Sequence, residues 1–411
     1  MTFERGHAKS CASGVRVAIL FATAALSLCC LGAAPGQAGP TAQGGAGVRH
    51  PIGLGKVLTT KDGGQIFGFD VDQIGDDGVL ASTDLNQQVP PNSVETFDQN
   101  TGKITRSFAK SLGEENGYEM VGIFAGDVAL ITRFVPYHGF TVKEKYSVMN
   151  PVTANKFTGA WKPPVRHVYV KFAADNQATS TSVLYGIEID HQNNPDLLVS
   201  DVATNTFSNV IRLDQRFSLN TIPQLAQYTA ANEAVLATSP DQGKRGGAAP
   251  INALVDLDTG NVTTFDGYNN GFSHAGLVNG LAVDPNTGVA ATTTELNAQV
   301  EFYDLNRKTG ITFVQLPCTN DQDQYNSGTT ITNDPVNKLF LVTDLHYCDG
   351  SQGAAIVVYD ESGNLVESIT GFNPDIAFAV DQPPPRINPG KRMGWAFGGP
   401  QGVDQLQQFF Y

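Results

Sequence analysis

Residues 280–312 read GLAVDPNTGVAATTTELNAQVEFYDLNRKTGIT, and this stretch holds two hairpins in succession. In each hairpin, short runs rich in valine, alanine, threonine and aromatic residues flank a turn, as β-strands require. Asp284 and Pro285 open the first turn, and Asp304 opens the second. A short acidic side chain suits this position because it accepts hydrogen bonds from the backbone N–H groups of the turn. The stretch therefore predicts one small sheet of four antiparallel strands.

Both hairpins recur along the chain. The second begins at an acidic or amide residue in six places, at intervals of 52, 51, 55, 48 and 56 residues: Asp98, Asn150, Asp201, Asp256, Asp304 and Asp360. The first recurs at Asp334-Pro335, which lies 50 residues after Asp284-Pro285. Four strands in about 50 residues is the period of a β-propeller blade.

The two ends of the chain complete this pattern. After the last repeat come three strand-like runs, DIAFAVD (375–381), RMGWAFGG (392–399) and QLQQFFY (405–411), while a lone run, GKVLTTK (55–61), precedes the first repeat. We expect the N-terminal strand to supply the missing outer strand of the last blade, which removes an open sheet edge. The sequence thus predicts an all-β, seven-bladed propeller over residues 55–411. Six blades followed by a β-rich tail is the alternative.

One repeat carries a resemblance to a known family. LVSDVATNTFSNVI (198–211) resembles the repeat of YVTN-type seven-bladed propellers, which are bacterial exported proteins, and LFLVTD (339–344) resembles the other half of that repeat. The likeness covers residues 55–411 at the level of blade pattern, although the YVTN tetrad itself departs in every blade. The resemblance implies an extracytoplasmic binding or scaffold propeller. Lactonases share this architecture, so it also permits an enzyme.

The first 38 residues have the layout of a secretory signal peptide. A basic start is followed by the apolar run VAILFATAALSLCCLGAA (17–34) and by small residues that end at Ala38. Residues 39–54 then form a flexible linker. A membrane anchor or a lipoprotein is the alternative, but no other stretch approaches the ~20 apolar residues that a span needs. We therefore expect a secreted or periplasmic protein without a transmembrane segment in its mature chain.

The charge limits the choice of partners. The whole chain has a net charge of −14, and loss of a leader with three basic residues and one acidic residue lowers this to −16. Such a surface repels phosphate backbones, so nucleic acid is a poor partner. A protein, a glycan or a small molecule remains as the expected ligand, and we expect a monomer.

Cysteine usage agrees with export. Cys11, Cys29 and Cys30 leave with the leader, and Cys318 and Cys348 remain. An oxidising compartment favours a disulfide between these two, and two free thiols are the alternative. The blade pattern places both on loops of the same face, one after the fourth strand of blade five and one after the second strand of blade six.

Three similar tetrads mark the exit of the second strand in blades one, five and six: TDLN (83–86), TELN (294–297) and TDLH (343–346). They lie at the propeller face where ligands usually bind, beside histidines and carboxylates from neighbouring loops. The predicted ligand-binding residues are Asp84, Asn86, His138, Asp190, His274, Glu295, Asn297 and Asp344.

Two functions are consistent with these residues. The first is a binding or scaffold module that uses this face. The second is a lactonase-like hydrolase in which Asp84, Glu295 and Asp344 hold Ca²⁺, a cation that prefers oxygen ligands, and His191 or His346 acts as the base. The alternative to both is that these are solvated loop residues and strand-end caps.

A further acidic motif does not predict a metal site. DVDQIGDDG (70–78) begins like a calcium-binding loop, but Ile74 and Ala81 stand at two ligand positions. This motif therefore predicts a hairpin turn.

Overall fold

The computed structural model describes the chain from residue 51 to residue 411 with gaps. The described residues are 51–60, 66–82, 93–107, 117–124, 128–137, 141–149, 170–174, 183–189, 195–201, 206–213, 224–238, 251–266, 278–294, 299–317, 330–344, 354–372, 384–397 and 405–411. Val48–Tyr411 forms one compact unit.

The described residues form β-sheets, which we number in chain order. Sheet 1 contains β2 (Ile66–Val71), β3 (Asp77–Ser82), β4 (Ser93–Asp98) and β5 (Lys103–Ser107). Sheet 2 contains β6 (Gly117–Phe124), β7 (Val128–Tyr137) and β8 (Thr141–Met149). Sheet 3 contains β9 (Val170–Ala174), β10 (Val183–Ile189), β11 (Pro195–Asp201) and β12 (Thr206–Arg212). Sheet 4 contains β13 (Gln224–Tyr228), β14 (Glu233–Thr238), β15 (Ile251–Asp256) and β16 (Val262–Asp266).

The remaining sheets follow in the same way. Sheet 5 contains β17 (Val278–Val283), β18 (Val289–Thr294), β19 (Gln299–Asp304) and β20 (Thr309–Gln315). Sheet 6 contains β21 (Ile331–Asp334), β22 (Leu339–Asp344), β23 (Ala354–Asp360) and β24 (Leu365–Phe372). The closing sheet contains β1 (Gly53–Thr59), β25 (Arg386–Asn388), β26 (Met393–Phe397) and β27 (Gln405–Phe410). Two short 3-10 turns, Thr229–Ala231 and Pro389–Lys391, join strands within sheet 4 and the closing sheet.

Every sheet is antiparallel, and sheets 1 to 6 keep their strands in chain order. The closing sheet differs, since its order is β1-β27-β26-β25 and its outer strand comes from the other end of the chain. In this pairing Leu58 lies opposite Leu406, and Thr59 lies opposite Gln405. The predicted N-terminal closing strand is therefore confirmed, although it begins at Gly53 instead of residue 55.

The first strand of the closing sheet was predicted wrongly. It spans Arg386–Asn388, directly after a run of prolines, and not 375–381, which lies outside the described residues. A strand of three residues is too short to show alternation, and prolines are more typical of a loop than of the start of a strand. The longer apolar run at 375–381 was therefore the stronger sequence signal.

The described hydrophobic core consists of separate clusters, each between neighbouring sheets. Sheets 3 and 4 enclose a cluster that includes Leu197 and Leu236, and sheets 5 and 6 enclose another around Phe302 and Phe340. The largest cluster joins sheet 6, the closing sheet and sheet 1, with fully buried Trp395 near its centre. Both faces of most sheets are thus buried, and each sheet depends on its neighbours for its core.

The first strands of consecutive sheets contact one another. Contacts join β2 to β6, β6 to β9, β9 to β13, β13 to β17 and β17 to β21, and β25 touches β2. Radially packed four-stranded antiparallel sheets with inner first strands define a β-propeller. Within the described part of the chain, no helix has the length and apolar character to cross a membrane.

Candidate functional site

The strand order divides the connections between two faces. One, which we name the turn face, carries the turns between first and second strands and between third and fourth strands, such as 284–288 and 361–364. The other, the loop face, carries the connections between second and third strands and those between sheets, such as 239–250 and 345–353. Antiparallel pairing requires this division, because successive connections lie at alternate ends of a sheet.

Acidic side chains on the turn face mostly bind their own backbone. Oδ1 of Asp256 accepts hydrogen bonds from the N–H groups of Asp258 and Thr259, both at 2.9 Å. These bonds, the Thr259 backbone bond above all, lower the pKa of the Asp256 carboxyl. Oδ1 of Asp98, Asp304 and Asp360 caps its turn in the same way. The predicted capping role is therefore confirmed for four of the six recurring turn residues, and the turns at Asn150 and Asp201 lie outside the described residues.

The DVDQIGDDG motif also forms a turn. The N–H of Asp72 donates to the Asp77 carbonyl oxygen at 2.8 Å, and the N–H of Ile74 donates to Oδ1 of Asp72 at 2.8 Å. Carbonyl oxygens of this loop accept bonds from the side-chain amides of Gln99 (2.7 Å) and Asn388 (2.8 Å). The prediction of a hairpin turn is confirmed, and side-chain amides bind the carbonyl oxygens of Asp72 and Gly75 within it.

Of the residues predicted to bind ligand or metal, only Asp344 is described. It is the last residue of β22, lies opposite Ala355 and is fully buried. The strands β3, β18 and β22 are second strands, and each tetrad begins within the last two residues of its strand or directly after it, as predicted. The other predicted site residues lie outside the described residues: Asp84, Asn86, His138, Asp190, His191, His274, Glu295, Asn297 and His346. So do all five cysteines, including Cys318 and Cys348.

Sequence reasoning missed two buried glutamates. Glu95 in β4 is 1% exposed and Glu301 in β19 is 4% exposed, and each stands three residues before the aspartate that opens the next turn. Leu198, Ala253 and Val357 occupy this position in sheets 3, 4 and 6. A glutamate at a position that is apolar in sheets 3, 4 and 6 was the signal in VETFD and VEFYD that could have revealed both residues.

Glu301 belongs to a buried polar cluster between sheets 4 and 5. The Tyr303 hydroxyl donates a short hydrogen bond to Oε2 of Glu301 and lies 3.1 Å from Oγ1 of Thr292. Phe265 of sheet 4 packs edge-on against Tyr303 with ring centroids 6.4 Å apart. Asn252, also in sheet 4 and 3% exposed, lies close enough to interact with the Tyr303 hydroxyl.

The electrostatics of this cluster keep the tyrosine protonated. Burial raises the pKa of Tyr303, and the charge of Glu301 raises it further, because ionisation would place two negative charges together in a buried interface. Tyr303 is therefore a hydrogen-bond donor and not a base. Glu301 is the third residue of β19, which begins at the loop face, so its carboxylate lies in the half of the strand nearer that face.

The described residues offer no metal-binding cluster. Among them, no three histidine, cysteine, aspartate or glutamate side chains are grouped closely enough to hold an ion. What they provide beneath the loop face is a set of buried, hydrogen-bonded polar groups on rigid strands.

Comparison with known proteins identifies the fold. No family model matches the chain, and no curated protein matches it. Among solved structures it is similar to the β-propeller domain of Cps50 (Swd1) from Myceliophteria thermophila, with a TM-score of 0.52 and 10% sequence identity. The match covers 88% of this chain and 100% of that domain. The chain is therefore a β-propeller, and at this identity the likeness concerns the fold alone.

Proposed function

We propose that this protein is an exported, seven-bladed β-propeller that binds a ligand through its loop face. The asymmetry between the two faces carries the proposal. On the turn face, short turns are closed by their own aspartates, whose Oδ1 atoms accept hydrogen bonds from backbone N–H groups. On the loop face, longer connections such as 83–92, 239–250 and 345–353 leave rigid second strands. Loops held by a rigid scaffold are the usual place for binding residues.

The sheets support a count of seven blades. Six sheets of four strands and one of three are present among the described residues. The three-stranded sheet ends with β8, and residues 150–169 between β8 and β9 are long enough to contain a fourth strand after the turn predicted at Asn150. Closure by β1 gives the last blade its outer strand.

The composition supports the class of ligand. The net charge of −14 disfavours nucleic acid, and the loop-face sequences are rich in amide, histidine and carboxylate groups that suit hydrogen bonding to a glycan, a polar small molecule or a protein. The proposed export rests on the leader-like residues 1–38.

The experiment combines a binding screen with face-specific variants. The mature protein would be tested on a glycan array, against a panel of extracellular proteins and for lactone hydrolysis with metal analysis. Each positive binding measurement would be repeated with two loop-face variants. One has residues 239–250 replaced by Asn-Gly, and the other carries the single substitution His346→Ala. Asp258→Ala on the exposed part of a turn-face hairpin is the matched control.

We expect the loop-face variants to lose binding at least tenfold while the control keeps it. Binding that survives every loop-face change but falls in Asp258→Ala would overturn the assignment of the face. Lactone hydrolysis by a protein that carries stoichiometric Ca²⁺ would instead establish an enzyme.

A further inference from the structure

Two turns of neighbouring sheets meet on the turn face. The turn 284–288 joins β17 to β18 in sheet 5, and the turn 361–364 follows β23 in sheet 6. Asp284 is fully buried there, and its Oδ1 accepts hydrogen bonds from the N–H groups of Asn286 (2.8 Å) and Thr287 (3.1 Å). Its other oxygen, Oδ2, is also buried, and no donor among the described residues bonds to it.

A second carboxyl group lies beside this oxygen. Oγ1 of Thr287 donates to Oε1 of Glu361 at 2.5 Å, which brings Glu361 from sheet 6 against the turn that contains Asp284. The two carboxyl groups are close enough to interact directly. Two ionised carboxylates in such contact repel each other, whereas one proton between them forms a hydrogen bond.

At the equivalent position of sheet 6, both carboxylate oxygens of the aspartate accept hydrogen bonds. Asp334 also precedes a proline and caps its turn through Oδ1. Its Oδ2, however, accepts bonds from the Tyr411 hydroxyl at 2.9 Å and from the Asn337 amide at 2.7 Å. Asp284 has the same turn and the same burial but faces a carboxyl group in place of these donors.

We propose that Asp284 and Glu361 share one proton and so form an acid-stabilised latch between sheets 5 and 6. In the closed latch Glu361 is a neutral acid: its O–H donates to Oδ2 of Asp284, and its carbonyl oxygen accepts the bond from Thr287. As the pH rises, this proton passes to water and the two carboxylates repel each other. The latch then weakens.

The surrounding charges agree with this direction. Burial raises the pKa of Glu361, and the negative charge of Asp284 raises it further, while the Thr287 bond and the positive charge of Lys338 lower it. Lys338 belongs to the turn between β21 and β22 in sheet 6, and Asp284 is the charged group facing from sheet 5. A raised folded-state pKa means that the stabilisation is complete below the ordinary glutamate pKa and is lost as the pH rises through the folded value.

The test is the melting temperature of the full mature protein between about pH 4 and pH 8 for the wild type and Glu361→Gln. The glutamine amide donates to Asp284 and accepts from Thr287 at every pH, so it imitates the closed latch. Asp284→Asn provides the same imitation from the other side, and Asp258→Asn on an exposed turn is the control.

We expect the wild type and Glu361→Gln to melt together at the acidic end. Towards neutral pH the wild type should fall about 1–3 °C below the glutamine variant, a shift typical of roughly 1 kcal/mol in a large domain. Asp258→Asn should follow the wild type throughout.

Two results would overturn the latch. Parallel melting curves for the wild type, Glu361→Gln and Asp284→Asn would show that no proton is shared. A rise in wild-type melting temperature on addition of CaCl₂ that is lost in Glu361→Gln would show that the pair binds a cation instead of a proton.

Discussion

Closure of the last sheet by the N-terminal strand predicts a strong difference between two neighbouring residues of β1. Leu58 is 1% exposed and belongs to the largest core cluster, whereas Val57 is 49% exposed on the same strand. Leu58→Ala removes three carbon atoms, worth roughly 2 kcal/mol in transfer free energy, and leaves a cavity against Leu406 and its neighbours. The total loss of unfolding free energy should be about 2–5 kcal/mol.

Val57→Ala is the matched control, because it shortens a β-branched side chain that already faces solvent. Its effect should stay within about 0.5 kcal/mol. Urea unfolding followed by tryptophan fluorescence measures both, since Trp395 lies in the same cluster as Leu58. Equal stabilities for the two variants would refute the closure, because they would mean that β1 is not packed on the closing sheet. Deletion of residues 53–59 should make the protein aggregate, because it leaves the closing sheet with an open edge. A deletion variant that stays soluble and equally stable would also refute the closure.

Three further predictions concern other parts of the fold. Tyr303→Phe removes the donor to a buried carboxylate and should cost about 1–3 kcal/mol in urea unfolding at neutral pH; an unchanged midpoint would contradict the buried pair. Gly288→Ala and Gly260→Ala both place a side chain at positive φ (+76° and +73°), but only at Gly288 would the added Cβ overlap a tyrosine hydroxyl. Gly288→Ala should therefore lose about 1–3 kcal/mol more unfolding free energy than Gly260→Ala. Similar losses in the two variants would argue against that contact. A non-reducing peptide map of the exported protein should show Cys318 linked to Cys348, and two alkylatable thiols would exclude the bond.

Local chemistry made the repeating turns predictable from the sequence. Asp98, Asp256 and Asp360 were identified because an aspartate that caps a turn accepts hydrogen bonds from N–H groups only two to four residues further along the chain. The local sequence is therefore enough to predict the turn. The four-stranded period followed from the spacing of these turns. The closing role of β1 also followed, since a propeller must satisfy its last edge.

Burial between sheets was not predictable in the same way. All but the last residue of QVEFYD in β19 are buried, because sheets pack on both faces of this strand, and the alternation that marks an exposed face is lost. Glu301 was therefore not recognised as a core residue. Its hydrogen-bond partner Tyr303 is only two residues away in the sequence. Phe265 and Asn252, which contact Tyr303, come from sheet 4, and the sequence around Glu301 does not indicate how that sheet packs against sheet 5.

The pairing of β1 with β27 has a consequence for the order of events during folding. The first strand of the propeller forms its sheet with the last, so Leu58 and the residue opposite it, Leu406, lie at opposite ends of the propeller sequence. Contacts so distant along the chain form late, because the entropy of closing the intervening loop must be overcome before they give any stabilisation. Until β1 and β27 pair, the closing sheet presents an open edge, and a chain that lacks either strand would stay unclosed and prone to aggregation.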